Sequence, residues 1–231
     1  MNFGLSEEQE LLQQTVRGFC EKECPPARLR QLFDGDDGHD PALWKGLGEM
    51  GLLGLVVPEA WGGAGLELLD LALVCEVMGH AALPGSFLGH HMVSLALARP
   101  GGAAQKNLWL PRLASGEAIG SVALAEDAAS WEPETWRATV DGGRVRGSKC
   151  FAPHAELATV LLVGVAGGGL VLVEPGAAGV TITDQSGVDR TRPCVRSRPT
   201  RSARPGACSS RRWRTRERAS NSEADSRSSR R

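Results

Sequence analysis

Residues 121–153 read SVALAEDAASWEPETWRATVDGGRVRGSKCFAP, and the fold of the chain turns on this stretch. Two partly apolar segments, 121–126 and 137–145, flank a polar loop that carries Trp131 and Trp136. Asp141-Gly142-Gly143 predicts a tight hairpin turn, because Asp-Gly and Gly-Gly supply the positive φ that two-residue loops need. A second short run, 144–151, closes at Pro153, which has no N–H to give to a sheet ladder. On the residues alone this is a hairpin in a β domain.

Downstream, 157–165 and 170–173 are aliphatic runs separated by Ala166-Gly-Gly-Gly169, a second hairpin signal, and 180–183 is a further strand candidate. Upstream the period changes from strand to helix. Ser6-Glu-Glu-Gln9 is a capping box. Leu12, Val16, Phe19 and Cys20 follow at helical spacing, and Pro25-Pro26 is expected to stop that helix. Asp40-Pro41 opens another, with Leu43, Trp44, Leu47 and Met50 as its buried face and Gly51 at its end. Residues 66–78 are apolar on nearly every side, which predicts a central buried helix ended by Gly79. Ser86 heads a helix closed by Arg99-Pro100, and a short helix over 105–113 leads into the β region. Helices first and strands after make a segregated α+β arrangement.

Several phrases resemble the acyl-CoA dehydrogenase family: FGLSEEQ near the start, GLLGLVVPEAWGGAG, LPRLASGE, and then GSVALAED with GSKCFAP and AELATVLLV. The resemblance covers roughly residues 3–193. It implies an amino-terminal all-α helical domain (1–116) followed by an incomplete antiparallel β-barrel middle domain (117–193). It also implies FAD as cofactor and an α,β-dehydrogenation of acyl-CoA thioesters, hence a place in fatty acid or lipid metabolism. An electron-transferring flavoprotein would reoxidise the flavin. By the same resemblance Ala123, Leu124 and Ala125 would line one side of the flavin ring, and Phe151, Ala152 and Pro153 the other.

The residues depart from the family pattern at these positions. Ala125 and Pro153 stand where the family has hydroxyl side chains, and Phe151 where it has Trp. Ser130-Trp131-Glu132 stands where the family has Gly-Ser-Asp, and a bulky Trp131 there is expected to obstruct the acyl-CoA path. The family's catalytic carboxylate belongs to a carboxy-terminal domain without counterpart here, so no catalytic residue is assigned. Glu126 matches a family position with an expected structural role. The expected function is therefore an acyl-CoA dehydrogenase, inactive as this chain alone. The alternative is a non-catalytic partner subunit in a homo- or hetero-oligomer, since HAALPGSFLGHH looks closest to a subgroup built from unlike subunits.

Composition divides the chain. Residues 1–193 carry a formal charge of -10, whereas 194–231 carry twelve Arg, no Lys and a charge of +9. A segment so rich in like charge and so poor in apolar residues is expected to be disordered. It is either a basic arm for nucleic acid or the product of a GC-rich gene read out of register. The abrupt loss of the family pattern and the rarity of Lys, four in the whole chain, favour the second. Nucleic acid is thus not an expected partner.

The acidic amino terminus lacks the basic and apolar regions of a secretory signal, and no apolar run is long enough to span a bilayer. Six cysteines show no CxxC pairing, which fits reduced thiols in a cytoplasmic protein. Adjacent His90 and His91 point about 100° apart on a helix and are read as packed or surface imidazoles, with no metal site. The glycines of residues 62–65 lack the flanking pattern of a phosphate-binding loop.

Overall fold

In the computed structural model, which describes residues 4–35, 38–126, 131–185, 189, 191 and 194–199, six helices precede eight strands. Helix α1 (Glu7–Glu23) begins at the predicted capping box: Ser6 Oγ accepts the Gln9 N–H at 3.2 Å, and Gln9 Oε1 accepts the Ser6 N–H at 3.1 Å. The two prolines after it do more than stop a helix. Pro26 starts α2 (Pro26–Asp34), because the first turn of a helix has no N–H partner to lose. Helix α3 (Pro41–Glu49) is capped by the Asp40 carboxylate, which accepts from the Ala42 and Leu43 amides and also pairs with Arg28. Helix α4 (Leu68–His80) runs through Gly79, its expected end. Helices α5 (Phe87–Ala98) and α6 (Ala103–Ala114) complete the helical half.

The loop between α3 and α4 is folded tightly on itself. A Cβ on Gly63 would lie 2.0 Å from the Val57 carbonyl oxygen, so only glycine fits there. The amides of Ala64, Gly65 and Leu66 donate to Gly54, Val57 and Leu55 at 2.9–3.0 Å. With those donors turned inward, this glycine cluster presents no phosphate cradle.

Strand β1 (Gly120–Ala123) pairs in parallel with β5 (Val160–Val165), which pairs antiparallel with β6 (Gly169–Val173). The predicted Gly142-Gly143 turn joins β2 (Thr139–Asp141) to β3 (Arg144–Arg146). A third sheet has the order β4 (Lys149–Pro153), β8 (Cys194–Pro199), β7 (Val180–Gln185). The α+β order is as expected, but two features of the β half differ. One pair is parallel, and among the described residues the strands form three separate sheets rather than a closed barrel. Of the segment expected to be disordered from residue 194, residues 194–199 instead form a strand that pairs with both β4 and β7. Residues 200–231 lie outside the described residues.

Every residue of β5 is buried, as a continuous aliphatic run predicts. Leu161, Val163 and Val165 pack into the β core with Ala123 and Val171, while Val160 and Leu162 face Val93, Leu97, Leu110 and Leu113 of the helices. The sheet β1-β5-β6 is thus the wall shared by the two halves. Gly164 leaves room on it for the ring of Trp136, which a Cβ would approach to 2.6 Å.

Candidate active-site cleft

Where α4 and α5 meet β1 and β4, the structure opens a cleft of about 790 Å³. Met78, Leu83 and Phe87 come from the helical side, Val122 and Leu124 from β1 and its extension, and Phe151 and Pro153 from β4. Among the described residues no Asp, Glu, Lys or Arg lines it.

Three of the six expected flavin-facing side chains, Leu124, Phe151 and Pro153, are on this cleft. The other three are not. Ala123, Ala125 and Ala152 are fully buried, and Ala123 and Ala152 belong to the β core. The physical reason is strand alternation: consecutive side chains point to opposite faces, so a run of three cannot line one surface. Residues 123–125 obey this, with Leu124 outward and both alanines inward.

Phe151 reaches the cleft by a device that the sequence does not announce. The β4–β8 register slips between Lys149 and Ala152, and Phe151 adopts φ +53. Such a bulge re-aims a side chain. Lys149 and Cys150 both turn inward, and Phe151 turns out, with 36% of its surface exposed. A non-glycine residue in the left-handed region costs on the order of 1–3 kcal/mol, which the surrounding pairing has to hold in place.

That pairing is dense. Lys149, 1% exposed, donates through Nζ to the Leu124 carbonyl at 3.0 Å and to Glu126 Oε1 at 2.7 Å, and sits 5.2 Å above the Trp136 ring. The Glu126 carboxylate also accepts the Arg137 and Ala138 amides at 2.9 Å. The Cys150 amide and thiol donate to the Ala125 and Glu126 carbonyls, and Ser121 Oγ donates to the Pro153 carbonyl. Burial alone would raise the Glu126 carboxyl, but the Lys149 ammonium and the two amides outweigh it and hold the carboxyl below its usual range. A carboxylate committed to three donors and absent from the cleft lining is a structural anchor. For Lys149, burial exceeds the help from Glu126 and lowers its pKa.

The helical half has its own buried polar centre. His90 is fully buried, with Nε2 3.2 Å from the Leu53 carbonyl and 3.1 Å from that of Leu113, while Nδ1 accepts the Gly120 amide at 3.2 Å. Only the Nε2–H tautomer satisfies all three partners. Burial pushes its pKa down to about 4. His91, packed edge-on against Phe87, comes near the Leu52 carbonyl without hydrogen-bond geometry. Burial, and then the neighbouring His90, lower its pKa to about 3. Of the two readings open for these imidazoles, surface or packed, the structure shows both packed. Cys20, Cys24, Cys75 and Cys150 are reduced. No described helix is long and apolar enough to cross a membrane.

A helical half and a mixed sheet half enclosing an apolar cleft define an acyl-CoA dehydrogenase architecture. Residues 6–117 match the model of the acyl-CoA dehydrogenase N-terminal domain. Acyl-CoA dehydrogenase IpdE2 of Mycolicibacterium smegmatis is 41% identical over 119 residues, which is 51% of this chain and 37% of that one. Among solved structures, the Tcur3481-Tcur3483 steroid ACAD G363A variant superposes with a TM-score of 0.78 at 31% identity, covering 86% of this chain and 56% of its own. An acyl-CoA dehydrogenase complexed with FAD from Bacillus anthracis superposes at 0.73 and 25% identity, over 87% of this chain and 37% of its own. The chain belongs to the acyl-CoA dehydrogenase family. It spans about two-fifths of the length of the IpdE2 sequence it matches.

Proposed function

We propose that this chain acts in the FAD-dependent α,β-dehydrogenation of an acyl-CoA thioester and supplies the apolar wall of that site. The observation that carries this reading is the cleft, which brings Leu124, Phe151 and Pro153 opposite Met78, Leu83 and Phe87. The first three side chains offer an aromatic face and two aliphatic surfaces, which fit the face of a planar ring. The ring's polar edge would find no side-chain hydroxyl at Ala125 or Pro153, and backbone groups would have to serve it. The chemistry that FAD supplies when bound is acceptance of the β-hydrogen as hydride.

The chain's own residues hold and dry the substrate. Apolar walls exclude water around the thioester, and the Lys149–Glu126 anchor fixes Leu124 beside Phe151, so positioning is their contribution. Removal of the α-proton needs a carboxylate, and among the described residues none lines the cleft. That group would come from outside the described residues or from a second subunit.

This same absence favours a second reading, a non-catalytic subunit that completes a flavin-binding sibling. In either case a soluble homo- or hetero-oligomer, with an electron-transferring flavoprotein as oxidant, is the setting. Purified chain is tested by flavin absorbance and by reduction of an artificial electron acceptor with acyl-CoA. Bound flavin with turnover establishes the first reading. Colourless protein that restores turnover only when mixed with a related flavin-containing subunit establishes the second. Failure to bind either flavin or acyl-CoA, alone or mixed, refutes both.

A further inference from the structure

A buried charge stands behind the wall that faces the flavin, and what it does there rests on the dehydrogenase reading above. We infer that Lys149 is a positioning residue of the reaction: its ammonium favours the reduced form of the bound flavin and so makes the ring a stronger hydride acceptor.

The need comes from the cleft itself. Accepting a hydride adds negative charge to the ring, and an apolar site does little to stabilise it. No Lys or Arg lines the cleft among the described residues, and Ala125 and Pro153 bring no hydroxyl. The polar side chains that do border it leave this need unmet. The Ser86 hydroxyl is committed to the Gly120 carbonyl at 2.8 Å, and burial pushes the Cys75 thiol up, which keeps it neutral. Both ring nitrogens of His154 are buried, and Trp131 stands half-exposed at the mouth.

Lys149 lies one hydrogen bond behind that wall. Its Nζ donates at 3.0 Å to the carbonyl of Leu124, a residue of the cleft lining, and the lysine is almost wholly enclosed. A charge so enclosed is screened far less than one in water. The accepting carbonyl belongs to the peptide that Leu124 shares with Ala125. A peptide polarised at its oxygen is a better donor through its N–H, and backbone groups are what the ring's polar edge has in place of hydroxyls.

Glu126 does not cancel this charge evenly. Its carboxylate accepts the Arg137 and Ala138 amides at 2.9 Å as well as Nζ at 2.7 Å, and its side chain keeps 12% of its surface in solvent. Amides and water attenuate the anion's field. The ammonium has no water, only the Leu124 carbonyl, the carboxylate and the face of Trp136, so its field passes to the wall.

Reduction of the FAD-loaded full chain in equilibrium with a redox dye tests this, at a temperature where every variant is folded. At a fixed dye ratio, Lys149→Met should lower the reduced-to-oxidised ratio of the flavin about tenfold. Lys149→Met with Glu126→Gln should recover part of that loss yet stay below the unmodified chain. Lys149→Arg, which keeps the charge, should stay within about twofold of it. A purely structural pair would change how tightly FAD is held and leave the ratio alone. A ratio that Lys149→Met does not move, that Lys149→Arg lowers as far, or that the double variant restores in full overturns the inference while the dehydrogenase reading stands. An unmodified chain that takes up no FAD removes both.

Discussion

The two halves of this molecule bury polarity in opposite ways. The helical half buries a neutral imidazole, His90, and spends its ring nitrogens on three backbone groups from three different segments. The β half buries a charge, Lys149, and answers it with Glu126, a carbonyl and an aromatic face. A neutral hub is satisfied by hydrogen bonds alone. A buried cation needs an anion, and that anion then has to be held by amides. The first arrangement joins helices to sheet. The second sits directly behind the residues that shape it.

Acid should separate the halves most strongly. The unfolded chain takes up protons on His90 and His91 near pH 6.5, whereas the folded chain resists until about 4 and about 3. The unfolded state therefore binds more protons in that window, and stability is lost as pH falls below about 6.5. With each pH unit of depression worth about 1.4 kcal/mol, the loss by pH 4 is on the order of 6 kcal/mol. Glu126, held anionic, adds to it only below the ordinary carboxylate range. Chemical denaturation measured from pH 7 to pH 4 checks this, and His91→Phe should remove roughly half of the loss. An unchanged pH profile in that variant would show that His91 titrates normally.

The β half is tested by Lys149→Met. Removing one member of a buried pair strands the other, a cost of about 3 kcal/mol because Glu126 keeps its two amides and some solvent. Thermal denaturation should fall by roughly 10 °C, and Lys149→Met with Glu126→Gln should recover part of it. If the double variant is as unstable as the sum of the singles, the two residues are not coupled.

Packing in the helical half is sharpened by two glycines of opposite expected sign. Gly63→Ala drives a methyl into the Val57 carbonyl and should cost about 2 kcal/mol. Gly18→Ala, on α1 with nothing within 4 Å of its Cβ, should stabilise by about 0.5–1 kcal/mol. Urea midpoints of both variants decide it. The smallest effect belongs to the amino-terminal cap: Ser6→Ala should lose about 1 kcal/mol, read as earlier amide exchange over the first turn of α1.

Much of the helical half is legible without a structure, because caps and helical periods are local. Ser6, Asp40 and Asp40-Pro41 act where their chemistry says they should. The failures there are also instructive: Ser86 heads α5 but makes no side-chain cap, and its hydroxyl donates to the Gly120 carbonyl across the fold. In the β half the hairpin turns are legible and the pairing is not. A parallel β1–β5 contact joins residues 40 apart and leaves no local mark.

The linear order of residues determined the α+β succession, the family and the two hairpin turns, because each rests on neighbours within a few positions. Only the tertiary structure decided that Leu124, Phe151 and Pro153, and not Ala123, Ala125 and Ala152, meet the helices at one cleft. The reason is that a side chain's direction on a strand depends on register, and the bulge that re-aims Phe151 exists only through the partners that β4 finds far along the chain.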